Sequence, residues 1–129
     1  MLRPAACRLA LLGVLGQLLL AGCATTTVPT TTPVNSVADL AGRWEGRITQ
    51  GFNGPQFLYF LTIRPDGTLE ATWGPNWQFG KITVSDGVAT FEMNDLSSGP
   101  VKYYDTPAGR RMTMEPSFGG WFVQVTPAR

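Results

Sequence analysis

From residue 40 onward, turn-forming residues interrupt the chain at intervals of about eight to twelve residues. Glycine readily adopts the positive φ angles that tight turns require, and Asp and Asn tolerate them better than most residues. The clearest turns are Asn53-Gly54-Pro55, Pro65-Asp66-Gly67, Gly74-Pro75-Asn76, Ser85-Asp86-Gly87, Ser97-Ser98-Gly99-Pro100, Thr106-Pro107-Ala108-Gly109 and Glu115-Pro116-Ser117. Because the segments between them lack a sustained helical period, this spacing predicts an all-β barrel or sandwich.

The segments between the turns have the pattern of about eight short strands. They lie near residues 42–50, 56–64, 68–73, 77–84, 88–93, 101–104, 110–115 and 119–125. In several of them apolar and polar residues alternate, as Leu69, Ala71 and Trp73 do with their polar neighbours. This alternation predicts antiparallel strands with one dry and one wet face. Segment 56–64 is apolar on both faces, so we expect it to be the most covered strand.

The short connections favour an up-and-down meander of consecutive strands. Eight strands can close into a small barrel whose interior holds side chains or one small ligand. Closure also removes exposed strand edges, which invite aggregation. The fold prediction is therefore a small antiparallel up-and-down barrel, with a β-sandwich as the alternative. We expect residues 36–41 to form a short helical turn that closes one end of the barrel.

The first predicted strand opens with Gly42-Arg43-Trp44-Glu45-Gly46. This segment resembles the Gly-x-Trp opening of the first strand in lipocalin-like barrels of the calycin type. The resemblance implies that Trp44 closes the floor of the barrel, with Arg110 or Arg111 as its partner. The chain is much shorter than a lipocalin and lacks the helix before the last strand, so we do not expect a roomy ligand cavity.

The N-terminus has the pattern of a secretory signal peptide. Residues 1–8 contain Arg3 and Arg8 and no acidic residue, and residues 9–20 are almost wholly apolar. This apolar run is short for a membrane-spanning helix, which needs about 20 apolar residues.

The apolar run ends in Leu20-Ala21-Gly22-Cys23. These four residues resemble the bacterial lipobox, the recognition site of signal peptidase II. The resemblance implies cleavage before Cys23 and attachment of lipid, palmitate included, to that residue, which would tether the chain to a membrane. Ala24 follows the cysteine, which favours the outer membrane in a Gram-negative host. An ordinary signal peptide with an incidental cysteine is the alternative.

These observations divide the chain into three regions. Residues 1–22 are expected to be a removable signal peptide, and residues 23–37 a lipidated, Thr- and Pro-rich tether. Residues 38–129 are expected to be the barrel domain. The series G-x-W-x-G, DGT, DG and GRRM in this domain is similar to that of small bacterial envelope lipoproteins. The resemblance implies a location in the bacterial cell envelope.

Composition excludes several kinds of chemistry. The chain has no histidine and two cysteines, so a His-containing triad or a His-based metal site is ruled out. Without Arg3 and Arg8, eight basic and nine acidic residues remain, and they form no basic patch, so we expect no nucleic-acid partner. The acidic residues lie in turns or alternate with apolar residues. We therefore expect no metal, no cofactor and no enzymatic activity.

Aromatic residues are the remaining candidates for a site. Trp73, Trp77 and Phe79 surround one tight turn, and Tyr103 and Trp121 lie in later strands. Alternation places Trp73 on the dry face of its strand, so Trp77 is the better candidate for exposure. We predict that Trp77, Phe79, Tyr103 and Trp121 contact a ligand if the barrel binds one at its mouth.

Three functions are compatible with these features. The first is a filled barrel with a structural or interaction role toward another envelope protein. The second is a lipocalin-like module that binds a small apolar or glycan ligand at an aromatic barrel mouth. The third is a hydrolase using two carboxylates. We favour them in this order because the strands are short and the aromatic residues numerous for about ninety residues.

Overall fold

The computed structural model describes residues 29–129. Eight strands, β1 to β8, span Gly42–Gln50, Gln56–Ile63, Thr68–Trp73, Asn76–Ser85, Val88–Met93, Ser98–Thr106, Gly109–Met114 and Trp121–Pro127. Each strand pairs antiparallel with the next, and β8 pairs with β1 to close the barrel. The predicted lipocalin-like up-and-down barrel is therefore confirmed, and the sandwich alternative is wrong.

Turn chemistry explains how consecutive strands pair. Asp86 and Gly87 both have positive φ, which makes the β4–β5 connection a two-residue turn whose twist matches a hairpin. In the β2–β3 turn, the Asp66 carboxylate accepts hydrogen bonds from the Thr68 N–H and hydroxyl at 2.9 and 2.7 Å. Local side-chain bonds of this kind hold the backbone in the turn.

One predicted turn is wrong. Residues 98–100 were expected to lie between strands, but β6 begins at Ser98. Pro100 pairs with Thr90 of β5 and is exposed. A proline is tolerated in a strand where its missing N–H does not interrupt the ladder.

Three inward-facing glycines mark positions where neighbouring strands approach closely. A Cβ atom at Gly46 or Gly80 would collide with a backbone carbonyl oxygen of the adjacent strand, and one at Gly99 with the carbonyl oxygen of Glu115, directly after β7. Glycine in a strand often marks such a close approach or a sharp bend at a barrel corner. Gly46, the last residue of the G-x-W-x-G segment, therefore has to be a glycine because β8 approaches β1 closely at this point.

The barrel interior is filled by one cluster of twenty buried hydrophobic residues. Leu69, Ala71 and Trp73 all point into this cluster, as their alternation predicted. The prediction that β2 is the most covered strand is wrong for the outward-facing side of this strand. Leu58 and Phe60 of that strand are more than half exposed. No second layer covers the outer wall over residues 29–129, so even a strand that is apolar on both faces has one face in solvent.

A segment that precedes β1 fills one end of the barrel. Val37–Asp39 form a 3₁₀ helix at the place where a helical turn was predicted, and Val34 and Leu40 on either side are buried. The Thr32 N–H donates to the Tyr103 carbonyl at 2.7 Å. We call this end, with the β2–β3, β4–β5 and β6–β7 turns, the capped end. The other end, with the β1–β2, β3–β4, β5–β6 and β7–β8 connections, is the loop end.

The contacts of this segment begin before the predicted start of the domain. Thr32 and Val34 bind the barrel, whereas the sequence assigned residues 23–37 to the tether. The signal peptide and Cys23 lie outside the described residues. Within residues 29–129, no helix is long and apolar enough to cross a membrane.

Candidate functional sites on the barrel wall and rim

The residues predicted to close the barrel lie at the capped end. The Trp44 indole N–H donates to the Leu40 carbonyl at 2.9 Å. The Arg110 guanidinium lies over the Trp44 ring, with its Cζ 5.2 Å from the ring centroid. Arg111, the other candidate, lies instead over the Tyr104 ring at 4.6 Å. The structure therefore places Arg110, and not Arg111, with Trp44.

Two of the four predicted ligand contacts lie in the interior and are separated from each other. Tyr103 is buried and meets Trp44 edge-on, with the ring centroids 6.5 Å apart. Trp121 is partly buried at the loop end and packs against Phe91 at 5.3 Å. Both rings therefore fill the core and leave little of their surface for a ligand.

The other two predicted contacts lie on the outer wall. Trp77 is 56% exposed and Phe79 is 48% exposed, and their ring centroids are 5.2 Å apart. The β3–β4 register explains this position, because Trp77 pairs with the outward-facing Thr72. Trp73 faces inward and packs against Tyr59 at 5.7 Å. The four predicted ligand contacts thus do not converge on one barrel mouth. Trp77 and Phe79 face outward, whereas Tyr103 and Trp121 face the interior.

The Trp77–Phe79 pair forms one wall of a groove of about 590 Å³ on the outer face of β3, β4 and β5. The polar lining consists of Arg64, Thr68, Glu70, Lys81, Glu92 and Asn94. Arg64 and Glu70 form an ion pair at 3.0 Å. Two exposed rings beside hydrogen-bonding side chains can stack on a sugar ring or an apolar chain and orient its polar groups. We call this site the aromatic groove.

The loop end carries a second candidate surface that the sequence analysis missed. Phe52, Leu96 and Phe118 lie in three different connections and are 98%, 83% and 103% exposed. The Gly51 N–H donates to the Gly120 carbonyl at 2.9 Å, which joins the β1–β2 and β7–β8 connections. The Ser117 N–H donates to the carbonyl of Ser98, the first residue of β6, at 2.9 Å. We call the three side chains the apolar rim. Their signal in the sequence is a large apolar residue inside a turn of small and polar ones.

Two acidic residues in turns, Asp66 and Asp95, are held by hydrogen bonds to nearby residues. The backbone N–H of Thr68, with its hydroxyl, holds the pKa of the exposed Asp66 carboxyl below its usual value. Burial opposes ionisation of Asp95, but hydrogen bonds from the Ser97 hydroxyl and N–H and from the Gln78 amide outweigh it and lower its pKa. Burial raises the pKa of the Tyr59 hydroxyl, which keeps it neutral. Within residues 29–129, no cluster of three acidic, His or Cys side chains could hold a metal ion.

Comparisons with protein families, with curated proteins and with solved structures found no match. A closed up-and-down barrel by itself is compatible with many unrelated functions. The function must therefore be inferred from the surfaces of the barrel, of which the aromatic groove and the apolar rim are the most distinctive.

Proposed function

We propose that the chain is a lipid-anchored protein of the bacterial cell envelope whose barrel has a non-catalytic interaction role. The observation that carries the proposal is the apolar rim. Phe52, Leu96 and Phe118 stand almost wholly in solvent at one end of a barrel whose interior is filled. The three side chains lie on connections at the same end of the barrel. Large apolar surface exposed in one region is typical of sites that bind a partner.

The anchor is part of this proposal because of Leu20-Ala21-Gly22-Cys23. Thr32, nine residues after Cys23, is bonded to the capped end. Nine residues span at most about 30 Å when fully extended. A lipid on Cys23 would therefore hold the capped end near its membrane and leave the apolar rim free for another component of the envelope.

Burial of the three rim side chains by a partner would contribute substantially to the free energy of binding. Complete burial of one Phe or Leu side chain contributes about 1.5–3 kcal/mol. Interfaces commonly depend on a few such anchors surrounded by near-neutral contacts. The connections at the loop end, residues 51–55, 74–75, 94–97 and 115–120, contain no Lys or Arg. Their only charged residues are Asp95 and Glu115. We therefore expect apolar contact, with a modest dependence on salt, to dominate binding of a partner protein.

The anchor is tested by labelling cells with radioactive palmitate. We expect label in the wild-type chain and none in Cys23→Ala. An unlabelled wild-type chain, or a labelled Cys23→Ala variant, would contradict lipidation at this residue.

The interaction is tested by placing a photo-crosslinking amino acid at position 52 or 118 of the full chain in cells. Position 88 is the control, because Val88 is also exposed but lies at the capped end. We expect adducts with a defined envelope protein from positions 52 and 118 only. The same adducts from position 88 would contradict the assignment of the rim as the interaction surface.

The aromatic groove supports a second candidate function, the binding of a small apolar or glycan ligand. The pairing of two half-exposed rings beside a groove of about 590 Å³ favours it. Titration of the full chain with neutral oligosaccharides, followed by calorimetry, tests it. We expect Trp77→Ala to abolish binding and Phe60→Ala, which removes a similarly exposed ring from β2, to retain it. Equal loss in both variants would argue against the groove.

A further inference from the structure

A third surface lies on the outer face of β6, β7 and β8, apart from the aromatic groove, and it extends to the β7–β8 connection that carries Phe118. It is a groove of about 690 Å³ whose side chains include Lys102, Tyr104, Arg111, Thr113, Phe122 and Gln124. The strand register brings these residues together: Lys102 is opposite Thr113, Thr113 is opposite Gln124, and Tyr104 is opposite Arg111. Residues that are far apart in the sequence thus form one continuous strip across three strands.

Arg111 is held in place but lacks a polar partner. Its guanidinium lies over the Tyr104 ring, with Cζ 4.6 Å from the centroid. Its Nε atom is buried and has no hydrogen-bond partner among the described residues. A buried donor without a partner is costly and calls for an explanation. Stacking on Tyr104 fixes the planar fork in one orientation, so less entropy is lost when it binds a ligand.

The groove contains two positive side chains, Lys102 and Arg111, and one negative side chain, Glu115, so its net charge is positive. Over residues 29–129, the ion pair between Arg64 and Glu70 is the only salt bridge, so neither Lys102 nor Arg111 has a carboxylate within 4.0 Å. The two cations lie on adjacent strands, two residues out of register. Glu115 also lines the groove but pairs with neither of them. Two neighbouring cations without counter-ions attract an anion from solution.

We propose that this groove binds the oxyanion group, phosphate or carboxylate, of a small ligand. Because Nε is buried and the two Nη atoms are not, the Nη groups of Arg111 are the donors of two parallel hydrogen bonds to two oxygens of such a group. This arrangement suits carboxylate and phosphate alike. Lys102 adds a second charge, and Thr113 and Gln124 add neutral donors. Phe122 gives the groove an apolar wall for the rest of the ligand. This site adjoins the connection that carries Phe118, but the charged groups that it offers to a ligand, Lys102 and Arg111, are not part of the rim.

The site is tested by NMR on the ¹⁵N-labelled full chain in an uncharged detergent, titrated with sodium phosphate or sodium acetate at constant ionic strength. The Arg111 Nε–H signal reports directly on the unpartnered donor. We expect this signal to move with a dissociation constant on the order of 1 mM. Tighter binding of phosphate would identify a phosphate group as the ligand's anion, and tighter binding of acetate a carboxylate.

Matched variants distinguish anion binding in this groove from a nonspecific effect of the protein's positive charge. Arg111→Gln should weaken binding at least about tenfold, whereas Arg43→Gln, which removes the same charge from the capped end, should change it less than about twofold. Arg111→Lys keeps the charge without the fork and should weaken binding about threefold or more, which provides a test if Arg111→Gln does not fold. An Arg111 signal that does not move, or equal losses in Arg43→Gln and Arg111→Gln, would overturn the proposal.

Discussion

At the capped end Val34 and Leu40 are buried beneath the turns, whereas at the loop end Phe52 and Phe118 stand in solvent. Both ends are built from the same eight strands, so the difference lies in the segments that cover or connect the strands at each end. At the capped end a segment from before β1 covers the core and satisfies the Tyr103 and Gly87 carbonyls. At the loop end the β1–β2 and β7–β8 connections are hydrogen-bonded to each other, and large apolar side chains remain exposed.

The backbone conformation of Leu96 is a further difference between the two ends. Leu96 has a φ of 69° and is among the most exposed side chains of the loop end. The left-handed region disfavours a bulky residue, and glycine or asparagine would adopt it more easily. Within residues 29–129, Asn53 and Asp86 are the other two non-glycine residues with positive φ, and both are of types that tolerate it. A strained, exposed leucine contributes little to the fold, which supports a role in binding.

The largest expected effect lies at the capped end. Trp44→Ala should lower the free energy of unfolding by about 3–5 kcal/mol, because it empties a core position and removes the bond to Leu40. Phe118→Ala at the loop end should change it by less than about 0.5 kcal/mol. Urea unfolding measures both. Similar losses in the two variants would show that the rim is part of the core.

The second prediction concerns the segment before β1. Val34→Ala should cost about 2 kcal/mol in urea unfolding, because the side chain is buried against the barrel. Val88→Ala is the matched control; its valine is exposed, so less than about 0.5 kcal/mol is expected. If Val34→Ala is as mild as the control, residues 32–37 behave as tether, as the sequence predicted.

The contrast between the ends also explains what the sequence could predict. Strand positions followed from turn residues such as Asp86 and Gly87, whose conformational preferences are local. The inward position of Trp73 and the outward position of Trp77 followed from alternation. Val34 looked like tether because its neighbours are threonines and prolines, and only contacts across the fold show that it is buried.

The candidate sites were harder to predict for the same reason. Periodicity applies to strands and does not describe the tips of turns, so the apolar rim was missed. The pairing of Tyr104 with Arg111 depends on the register between β6 and β7, which the sequence does not display. Tyr103 and Trp121 were grouped with Trp77 by residue type alone, and the barrel separates them.

The third prediction is a gain of stability at the loop end. Leu96→Asn should raise the free energy of unfolding by about 0.5–1 kcal/mol, since asparagine tolerates positive φ. Leu96→Ala should give no such gain, because alanine is disfavoured in the same region. Urea unfolding of both variants separates backbone strain from apolar exposure. An equal gain in Leu96→Ala would assign the effect to exposure, and strain would no longer support a binding role.

The smallest expected effect is on the pH dependence of stability, and it concerns one carboxylate at each end of the barrel, Asp66 at the capped end and Asp95 at the loop end. Hydrogen bonds from Thr68 lower the pKa of Asp66, and the balance of burial and bonds from Ser97 and Gln78 lowers that of Asp95. A carboxyl whose pKa is lower in the folded state stabilises the fold above its unfolded pKa of about 3.9. That stability is lost as the pH falls through the folded pKa.

Unfolding in urea should therefore become easier between about pH 5 and pH 2. Asp66→Asn and Asp95→Asn should each flatten this dependence slightly while changing little at pH 7, because the Asn side-chain oxygen can accept the same turn bonds. An acid-induced loss that is unchanged in both variants and in the double variant would mean that other carboxylates cause it. If only Asp66→Asn flattens the curve, the β2–β3 turn at the capped end carries the acid sensitivity, and Asp95 at the loop end does not contribute to it.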